Sequence, residues 1–414
     1  MKRIIVIAAM VAIAAATAFG APTQEESDGN EPVTIRFNQH GNNWVRDLRV
    51  VSEPYEEMNP NVTIEISRLG GDDFWASLRT VLASGDVHDL FAVQAGSMLN
   101  DFVDAGHLEP IDDLDVASNY AEGMRAIGTF DGTLYGLPPS SNTMGVLYNQ
   151  DIFDELGLDV PRTIPEFEEV VAAISEAGYV PFAGYYNDVW TLRHLFSMVH
   201  TPVVGDAATF VAEMNSGARD TFWEPGMDRA MDVVDLMHNN ISERPFDATF
   251  GDATALVAQE VAAMIIQGQW ALGNILSINP DFNAGMFALP ISDDPADATL
   301  HADSAVVWSV YSGGDNIDQA KDYLNWLMGT EPMQALGDIG DDLMAVAGFV
   351  AKGPIAPISN ALQSYLEQGL VDRWGFNKWP TGFDMDVVAP AVQDYLRTGD
   401  RDALFERIDS QYPN

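Results

Sequence analysis

An alternation of short apolar strands with amphipathic helices near the start of the chain constrains its fold more than any other feature. Residues 33–37, 62–66 and 88–93 have the pattern of strands, and residues 44–58 and 74–83 carry apolar side chains at helical spacing. Strands that are separated by helices usually pair in parallel, because the helix returns the chain to the same end of the sheet. The sequence therefore predicts an α/β fold with a parallel sheet and helices on both faces.

Two later segments predict helices with defined ends. Thr163-Ile-Pro-Glu166 has the spacing of a capping box, and apolar residues follow it at helical spacing as far as Gly178. Residues 318–328 show the same apolar periodicity. Both segments are interpreted as core-facing helices.

The chain is longer than one hydrophobic core usually supports. Its 414 residues, 47% of them hydrophobic and 10% aromatic, predict a folded protein of two domains. There is no cysteine, which excludes disulfides, thiolate metal sites and cysteine nucleophiles.

The first twenty residues have the pattern of a secretory signal. A Lys2-Arg3 head precedes an apolar run, and small residues lead to an expected cleavage site after Gly20. The alternative is a retained membrane anchor, but the apolar run is short for a span of about 20 residues. Residues 1–20 are thus predicted to be a signal peptide and 21–32 a polar linker. Because no cysteine can carry a lipid, we expect the mature protein to be free in the periplasm.

The charge balance excludes one class of partner. The chain has 62 acidic against 20 basic residues, a formal net charge of −42. Such a surface repels nucleic acid and lacks the basic stripe that phosphate backbones require. It also resembles the surfaces of proteins from salt-loving organisms, in which ions screen the self-repulsion.

The sequence offers no catalytic, metal or cofactor motif. It lacks a phosphate-binding Gly-rich loop and a Gly-x-Ser-x-Gly elbow. The seven histidines are too scattered for a zinc site and are interpreted as surface or capping residues. Adjacent acidic pairs are expected by chance among 62 carboxylates and do not indicate a glycosidase pair. We therefore expect no enzyme activity and no cofactor.

Tryptophans in polar, glycine-containing surroundings are the most suggestive local feature. A carbohydrate site needs a flat aromatic face for the sugar C–H groups, beside amides and carboxylates for the hydroxyls. Each such tryptophan, taken alone, is more often a packing residue, but together they favour a sugar ligand. They are Trp44, Trp75, Trp190, Trp270 and Trp374.

Several motifs resemble, in order, the extracellular solute-binding proteins of bacterial ABC importers, in the branch with maltose- and trehalose-binding proteins. The resemblance covers nearly the whole chain after the linker. The motifs are Gly132-Thr-Leu-Tyr-Gly-Leu-Pro138, Gly145-Val-Leu-Tyr-Asn-Gln-Asp-Ile-Phe153, Leu156-Gly-Leu, Pro161-Arg-Thr-Ile-Pro-Glu-Phe167, Val261-Ala-Ala-Met264, Gly268-Gln-Trp270 and the segment from Ile317 to Ala335.

The resemblance implies a periplasmic-binding-protein fold of two α/β lobes that close on a ligand. Lobe 1 is expected at 33–138 plus 305–343, and lobe 2 at 139–304 plus 344–414. Three crossovers, near 138–143, 300–307 and 344–349, form the hinge. The implied partners are a carbohydrate and ABC permease subunits at the membrane, and the protein is expected to be a monomer.

The resemblance also places a ligand site in the cleft, with Trp270 as the best match to the family's sugar-stacking tryptophan. The third strand ends in Gln94-Ala-Gly, where relatives often carry aspartate, so the specificity is left open. The implied ligand-binding residues are Asn38, His40, Asn43, Trp44, Gln94, Ser97, Ser141, Asn142, Trp190, Gln269, Trp270, Asp303, Ser304 and Trp374.

Two alternatives stay open at this stage. A secreted polysaccharide-active hydrolase could use the same aromatic residues, and a binding protein of the same fold could take a polyamine or a metal chelate instead of a sugar.

The charge imbalance makes a prediction about stability. Lowering NaCl from 1 M to 0.01 M lengthens the Debye length from about 3 Å to about 30 Å, so the negative charges repel one another more strongly. The melting temperature, measured by circular dichroism across this range, should fall as salt is removed. A constant melting temperature would contradict the resemblance to proteins adapted to high salt.

Overall fold

A computed structural model describes residues 31–40, 42–67, 74–84, 87–340 and 342–413. The predicted signal peptide, most of the predicted linker, and the side chains of Asn43, Trp44 and Trp75 lie outside this description. The strands are β1 (Val33–Asn38), β2 (Val62–Ser67), β3 (Leu90–Gln94), β4 (Thr129–Phe130), β5 (Thr133–Leu134), β6 (Asn142–Asn149), β7 (Val180–Phe182), β8 (Ala262–Gly268), β9 (Ala284–Phe287), β10 (Leu300–Asp303), β11 (Val306–Val310) and β12 (Val371–Asp372).

Helices occupy most of the chain between these strands. They are α1 (Asn42–Met58), α2 (Phe74–Ser84), α3 (Ser97–Asp104), α4 (Glu122–Arg125), α5 (Gln150–Leu156), α6 (Ile164–Glu176), α7 (Trp190–Val204), α8 (Ala207–Ser216), α9 (Met227–Asn239), α10 (Phe250–Ala258), α11 (Ala271–Ile278), α12 (Ile317–Leu327), α13 (Thr330–Gly340), α14 (Ala356–Gln368), α15 (Ala389–Thr398) and α16 (Arg401–Ser410). A π-helical turn, Asp384–Val388, precedes α15.

The first lobe is built on a four-stranded sheet in the order β11-β3-β1-β2. β1 pairs in parallel with both β2 and β3, which confirms the predicted parallel arrangement of the first three strands. β11 arrives from much later in the chain and pairs antiparallel with β3. Its Trp308 is fully buried against Phe37, edge to face, with ring centroids 5.2 Å apart.

β3 begins two residues later than the sequence pattern indicated. The carboxylate of Asp89 accepts a hydrogen bond from the backbone N–H of Arg36 at 2.8 Å. Asp89 therefore bonds to β1 through its side chain. Its side chain is nevertheless buried, at 7% exposure.

The second lobe has a mixed sheet in the order β12-β10-β6-β8-β7, with β9 also paired to β6. β8, which lies between β6 and β7, is buried along its whole length. Its successive side chains enter two different cores, Met264 and Ile266 on one face and Ile265 on the other. The period of two along a strand therefore divides the lobe into a sheet between two helical layers.

The helix predicted from Thr163 is α6, with the reciprocal capping box in place. The Thr163 side chain accepts from the backbone N–H of Glu166, and the Glu166 carboxylate accepts from the backbone N–H of Thr163. The later predicted helix is α12, one residue shorter at its end than the apolar pattern indicated.

The two sheets meet where the chain passes between them. β10 belongs to the second sheet and β11 to the first, so the chain crosses at residues 304–305. Close by, the backbone N–H of Ser141 donates to the carbonyl of Leu343 at 2.7 Å, and that of Ala345 donates to Pro139 at 3.1 Å. The three segments expected to form crossovers thus run side by side.

In the described ranges no single helix is long and apolar enough to cross a membrane. α7 and α8 reach that length and composition only as a pair, bent by 86°.

The interpretation of the histidines as surface or capping residues is wrong for three of them. His194, His200 and His301 are each no more than 4% exposed. His200 lies between the rings of Phe196 and Phe222, with centroids 5.2 Å away in each case, and its Nε2 donates to the carbonyl of Phe222. Burial lowers the pKa of His200 to about 3.

This shift predicts a pH-dependent contribution to stability. Between the ordinary pKa and the lowered one, the unfolded chain binds a proton that the folded protein does not, so stability falls as the pH falls below about 6.5. His200→Phe keeps the aromatic stacking but removes the titrating group. Between pH 7 and pH 5 the free energy of unfolding, measured in urea, should fall by about 2 kcal/mol less in this variant than in the wild type.

His200→Phe also loses the hydrogen bond to Phe222, but this loss lowers stability equally at both pH values. It therefore cancels when the change in unfolding free energy between pH 7 and pH 5 is compared. Equal pH dependence in the variant and the wild type would show that His200 is not held neutral.

Candidate functional site

Three of the predicted site tryptophans meet around one buried histidine. His194 lies one helical turn after Trp190 on α7, and their ring centroids are 5.3 Å apart. Trp270 is 5.5 Å and Trp374 is 5.9 Å from the same imidazole, and the two indoles are 5.8 Å from each other. Trp190 and Trp270 are half-buried, whereas Trp374 is only 2% exposed. The folded chain thus brings together residues that are far apart in sequence.

Trp270 is placed by the end of β8. The Gln269 side-chain oxygen accepts from the backbone N–H of Thr143 at 2.7 Å, and the Gln269 backbone N–H donates to the Thr143 carbonyl at 2.9 Å. The indole of Trp270 lies over Gly268, where an added Cβ would be 2.0 Å from the ring. The glycine in Gly268-Gln-Trp270 is therefore required by the position of the indole.

A buried carboxylate lies beside the aromatic cluster. Asp303, at the end of β10, accepts from the backbone N–H groups of Ser304 at 2.8 Å and Trp374 at 3.3 Å. The Nη1 atom of Arg373 lies 3.4 Å from Oδ1 of Asp303. Burial raises the pKa of Asp303 although Arg373 opposes the shift. The Asp303 carboxyl group has further lone pairs, so it can accept additional hydrogen bonds at the end of β10.

The first lobe contributes the ends of two parallel strands. Asn38 ends β1 and Gln94 ends β3; Asn38 is buried and Gln94 half-buried. Gln39 follows directly and is 2% exposed. Its side-chain oxygen accepts from the backbone N–H of His40, which is itself exposed beside Phe74. Ligands of open α/β sheets commonly bind outside such carboxyl ends.

Several predicted site residues use their polar atoms within the protein. The Asn142 side-chain oxygen accepts from the backbone N–H of Ala305 at 3.2 Å, and the Ser304 hydroxyl donates to the Val306 carbonyl at 2.7 Å. The Ser97 hydroxyl donates to the carbonyl of Trp379 at 2.8 Å. Ser141 is half-buried, with its backbone bonded to Leu343. Asn142 therefore links the first crossover to the second, whereas the Ser304 hydroxyl bonds within the second.

The two lobes touch next to the site. Thr381 donates to the carboxylate of Asp101 at 2.9 Å, and Arg373 donates to the carbonyl of Gly123 at 2.6 Å. Gly96, at φ 89°, lies so close to Asn377 that an added Cβ would be 1.9 Å from its carbonyl oxygen. These contacts join residues of the two expected lobes.

The sequence interpretation did not include His194, Arg373 and Phe376. Phe376 lies 5.1 Å from the imidazole of His194. For His194 a signal was present, because residues four apart on a helix share a face and Trp190 was already a candidate. For the others no local pattern exists, since chain folding alone brings residues 373–376 to α7.

The described residues contain no group of three His, Cys, Asp or Glu side chains placed to hold a metal ion. The cluster combines an aromatic surface with amide, indole and carboxylate groups that can form hydrogen bonds with a ligand.

Comparisons with known proteins agree on one family. A family model described as bacterial extracellular solute-binding protein matches residues 47–334. A multiple sugar-binding protein of Streptococcus mutans is 25% identical over 389 residues, which cover 92% of this chain and 90% of that protein.

Solved structures share the fold over nearly the full length. The solute-binding protein RafE in complex with raffinose has a TM-score of 0.78 at 21% identity, covering 92% of this chain and 98% of that one. A Bacillus licheniformis sugar transporter protein in complex with stachyose has a TM-score of 0.73 at 18% identity, covering 92% and 99%.

The contact between Gly268 and Trp270 makes a structural prediction. Gly268→Ala should displace the indole and lower the free energy of unfolding by about 1–3 kcal/mol, because an extra methyl group overpacks the site. Near-ultraviolet circular dichroism should report the displaced ring. Gly273→Ala is the matched control: an added Cβ at Gly273, in α11, meets nothing within 4 Å.

The control should be neutral or stabilising by about 0.5–1 kcal/mol, because alanine is the better helix former. Equal effects of the two substitutions would show that the indole does not lie over Gly268.

Proposed function

Because the chain belongs to the bacterial extracellular solute-binding proteins, we propose that it is the substrate-binding component of an ABC importer for a mono- or oligosaccharide. The sugar binds in the cleft between the lobes, and the closed protein delivers it to the membrane permease. Contacts that reach the ligand from both lobes exist only in the closed form, so the ligand shifts the population toward closure.

The observation that carries this proposal is the convergence of Trp190, Trp270 and Trp374 beside the buried carboxylate of Asp303. Indole faces bind the C–H surface of a sugar ring, and a carboxylate accepts from its hydroxyls. The proposed site consists of these residues with the other expected ones and the newly found His194. The predicted members are Asn38, His40, Asn43, Trp44, Gln94, Ser97, Ser141, Asn142, Gln269 and Ser304.

Several finer assignments belong to the same proposal. The lobes divide at 138/139, 304/305 and 343/344, and the protein acts as a monomer, without enzyme activity and without binding nucleic acid. After removal of residues 1–20 it is free in the periplasm. The relatives support the choice of ligand by their names, which include multiple sugar-binding protein and complexes with raffinose and stachyose.

Ligand-dependent melting tests the proposal. The panel consists of raffinose, stachyose, maltotriose, galactose and chitotriose, with spermidine as the cationic alternative. We expect a sugar to bind with an affinity near 1 μM, about −8 kcal/mol. At about a hundred times the dissociation constant it should stabilise the protein by about 2.7 kcal/mol. A shift with spermidine and none with any sugar would overturn the choice of ligand.

Trp270→Ala is the site variant for this experiment. Loss of its stacking surface should weaken sugar binding at least tenfold, since about 1.4 kcal/mol corresponds to one decade. The apo melting temperature is the control: a large fall in it with affinity unchanged would make Trp270 a packing residue. Hydrolysis of a chromogenic glycoside by the purified protein would favour the hydrolase alternative.

A further inference from the structure

A chain of buried hydrogen bonds fixes the orientation of the Gln267 side chain. The hydroxyl of Tyr185 donates its single hydrogen to the carbonyl of Ile266, at 2.6 Å. The same oxygen lies 3.3 Å from the Gln267 amide nitrogen, from which it accepts. The Gln267 oxygen therefore points the other way, where it accepts from the backbone N–H of Gly268 at 3.0 Å.

That orientation determines which nitrogen of His194 carries the hydrogen. Nδ1 of His194 lies 3.1 Å from the Gln267 oxygen, which can only accept, so Nδ1 is the donor. A neutral imidazole then has a bare lone pair on Nε2. Burial and the neighbouring Arg193 lower the pKa of His194 well below its usual value, in keeping with the neutral ring. None of the described residues hydrogen-bonds Nε2.

The neighbouring Trp374 supplies the opposite group. Its Nε1–H is buried and has no hydrogen-bond partner among the described residues. The two rings are 5.9 Å apart between centroids. The aromatic cluster therefore contains one unused acceptor and one unused donor on neighbouring rings.

Of the common ligand groups, a hydroxyl suits this pair. Its hydrogen can be donated to Nε2 while its oxygen accepts from Nε1–H. An ammonium group can only donate and would leave the indole N–H without a partner, and a carboxylate can only accept and would leave Nε2 without one. A buried polar group without a partner weakens binding, so the pair discriminates between ligand classes.

We propose that His194, held as the Nδ1–H tautomer by Gln267 and Tyr185, accepts a hydrogen bond from a sugar hydroxyl that in turn accepts one from Trp374. The pair selects neutral polyhydroxylated ligands against polyamines. This inference rests on the proposed sugar-binding function and adds the residues that decide the ligand class.

Two variants of His194 separate the bond to the ligand from the bond to Gln267. The amide of glutamine reaches the position of Nε2, and the shorter amide of asparagine that of Nδ1. His194→Asn keeps a donor for Gln267 but loses the acceptor for the ligand, so the affinity for every panel sugar that the wild type binds should fall at least tenfold. His194→Gln keeps the acceptor, so its affinity should stay within about fivefold of the wild type.

His200→Asn is the packing control, since His200 is equally buried on the same helix and lies away from Trp270. It should lower the apo melting temperature without changing sugar affinity. Calorimetric titration with the panel sugars measures the affinities. Equal losses in the two His194 variants, or a loss confined to His194→Gln, would overturn the role of Nε2.

Trp374→Phe tests the shared hydroxyl. If one hydroxyl bonds both rings, the affinity losses caused by Trp374→Phe and His194→Asn should be non-additive. The double variant should then bind sugar nearly as tightly as whichever single variant has the lower affinity. Strictly additive losses would show that no common hydroxyl is bound.

A further readout uses the wild-type protein, and its tautomer assignment needs no ligand. Two-bond ¹H–¹⁵N correlations of ¹⁵N-histidine-labelled protein should assign the Nδ1–H tautomer to His194, and sugar should shift its Nε2 signal. An Nε2–H tautomer would overturn the inference even if sugar binds. If no panel sugar binds, the sugar proposal and this one both fail; if sugar binds and the two His194 variants match the wild type, only this one fails.

Discussion

The site depends on the hydrogen bonds that hold the crossover segments together. Each lobe has hydrophobic cores of its own, so the position of one lobe's side chains relative to the other's depends on the connecting segments. The backbone of Ser141 bonds to Leu343, that of Ala345 bonds to Pro139, and the side chain of Asn142 bonds to Ala305. These bonds lie within a few residues of Asp303 and Gln269. The segments expected to form the hinge therefore also form part of the wall of the candidate site.

The second sheet brings the aromatic residues to this point. β8 is buried on both faces, so its direction is set by two cores, and the chain leaves it at Gly268. Absence of a side chain there allows the indole of Trp270 to fold back over the strand end. Helix α7 presents Trp190 and His194 from the other side. The rings are therefore positioned by rigid elements, as expected of a site that closes with little rearrangement of its own side chains.

The scarce basic residues stabilise the acidic chain at particular places. Arg401 contacts the carboxylates of Asp232 and Asp235 at 2.8 and 2.6 Å, so one guanidinium holds two acidic side chains of α9 against the C-terminal helices. Arg373 joins the buried Asp303 to the carbonyl of Gly123 in the other lobe. These two arginines thus place their charge where acidic side chains meet other elements of the fold.

The sequence by itself determined the parallel pairing of β1, β2 and β3, the capped helix α6 and the tryptophans of the candidate site. These follow from local patterns: the period of two in strands, the capping box, and aromatic residues in polar surroundings. The tertiary structure decided the burial of His194, the contact of Phe376 with it, and the use of Asn142 and Ser304 in the hinge. Those features depend on packing between segments up to about two hundred residues apart. The interpretation of the histidines failed for the same reason, because whether a histidine is buried is decided by the elements that pack around it.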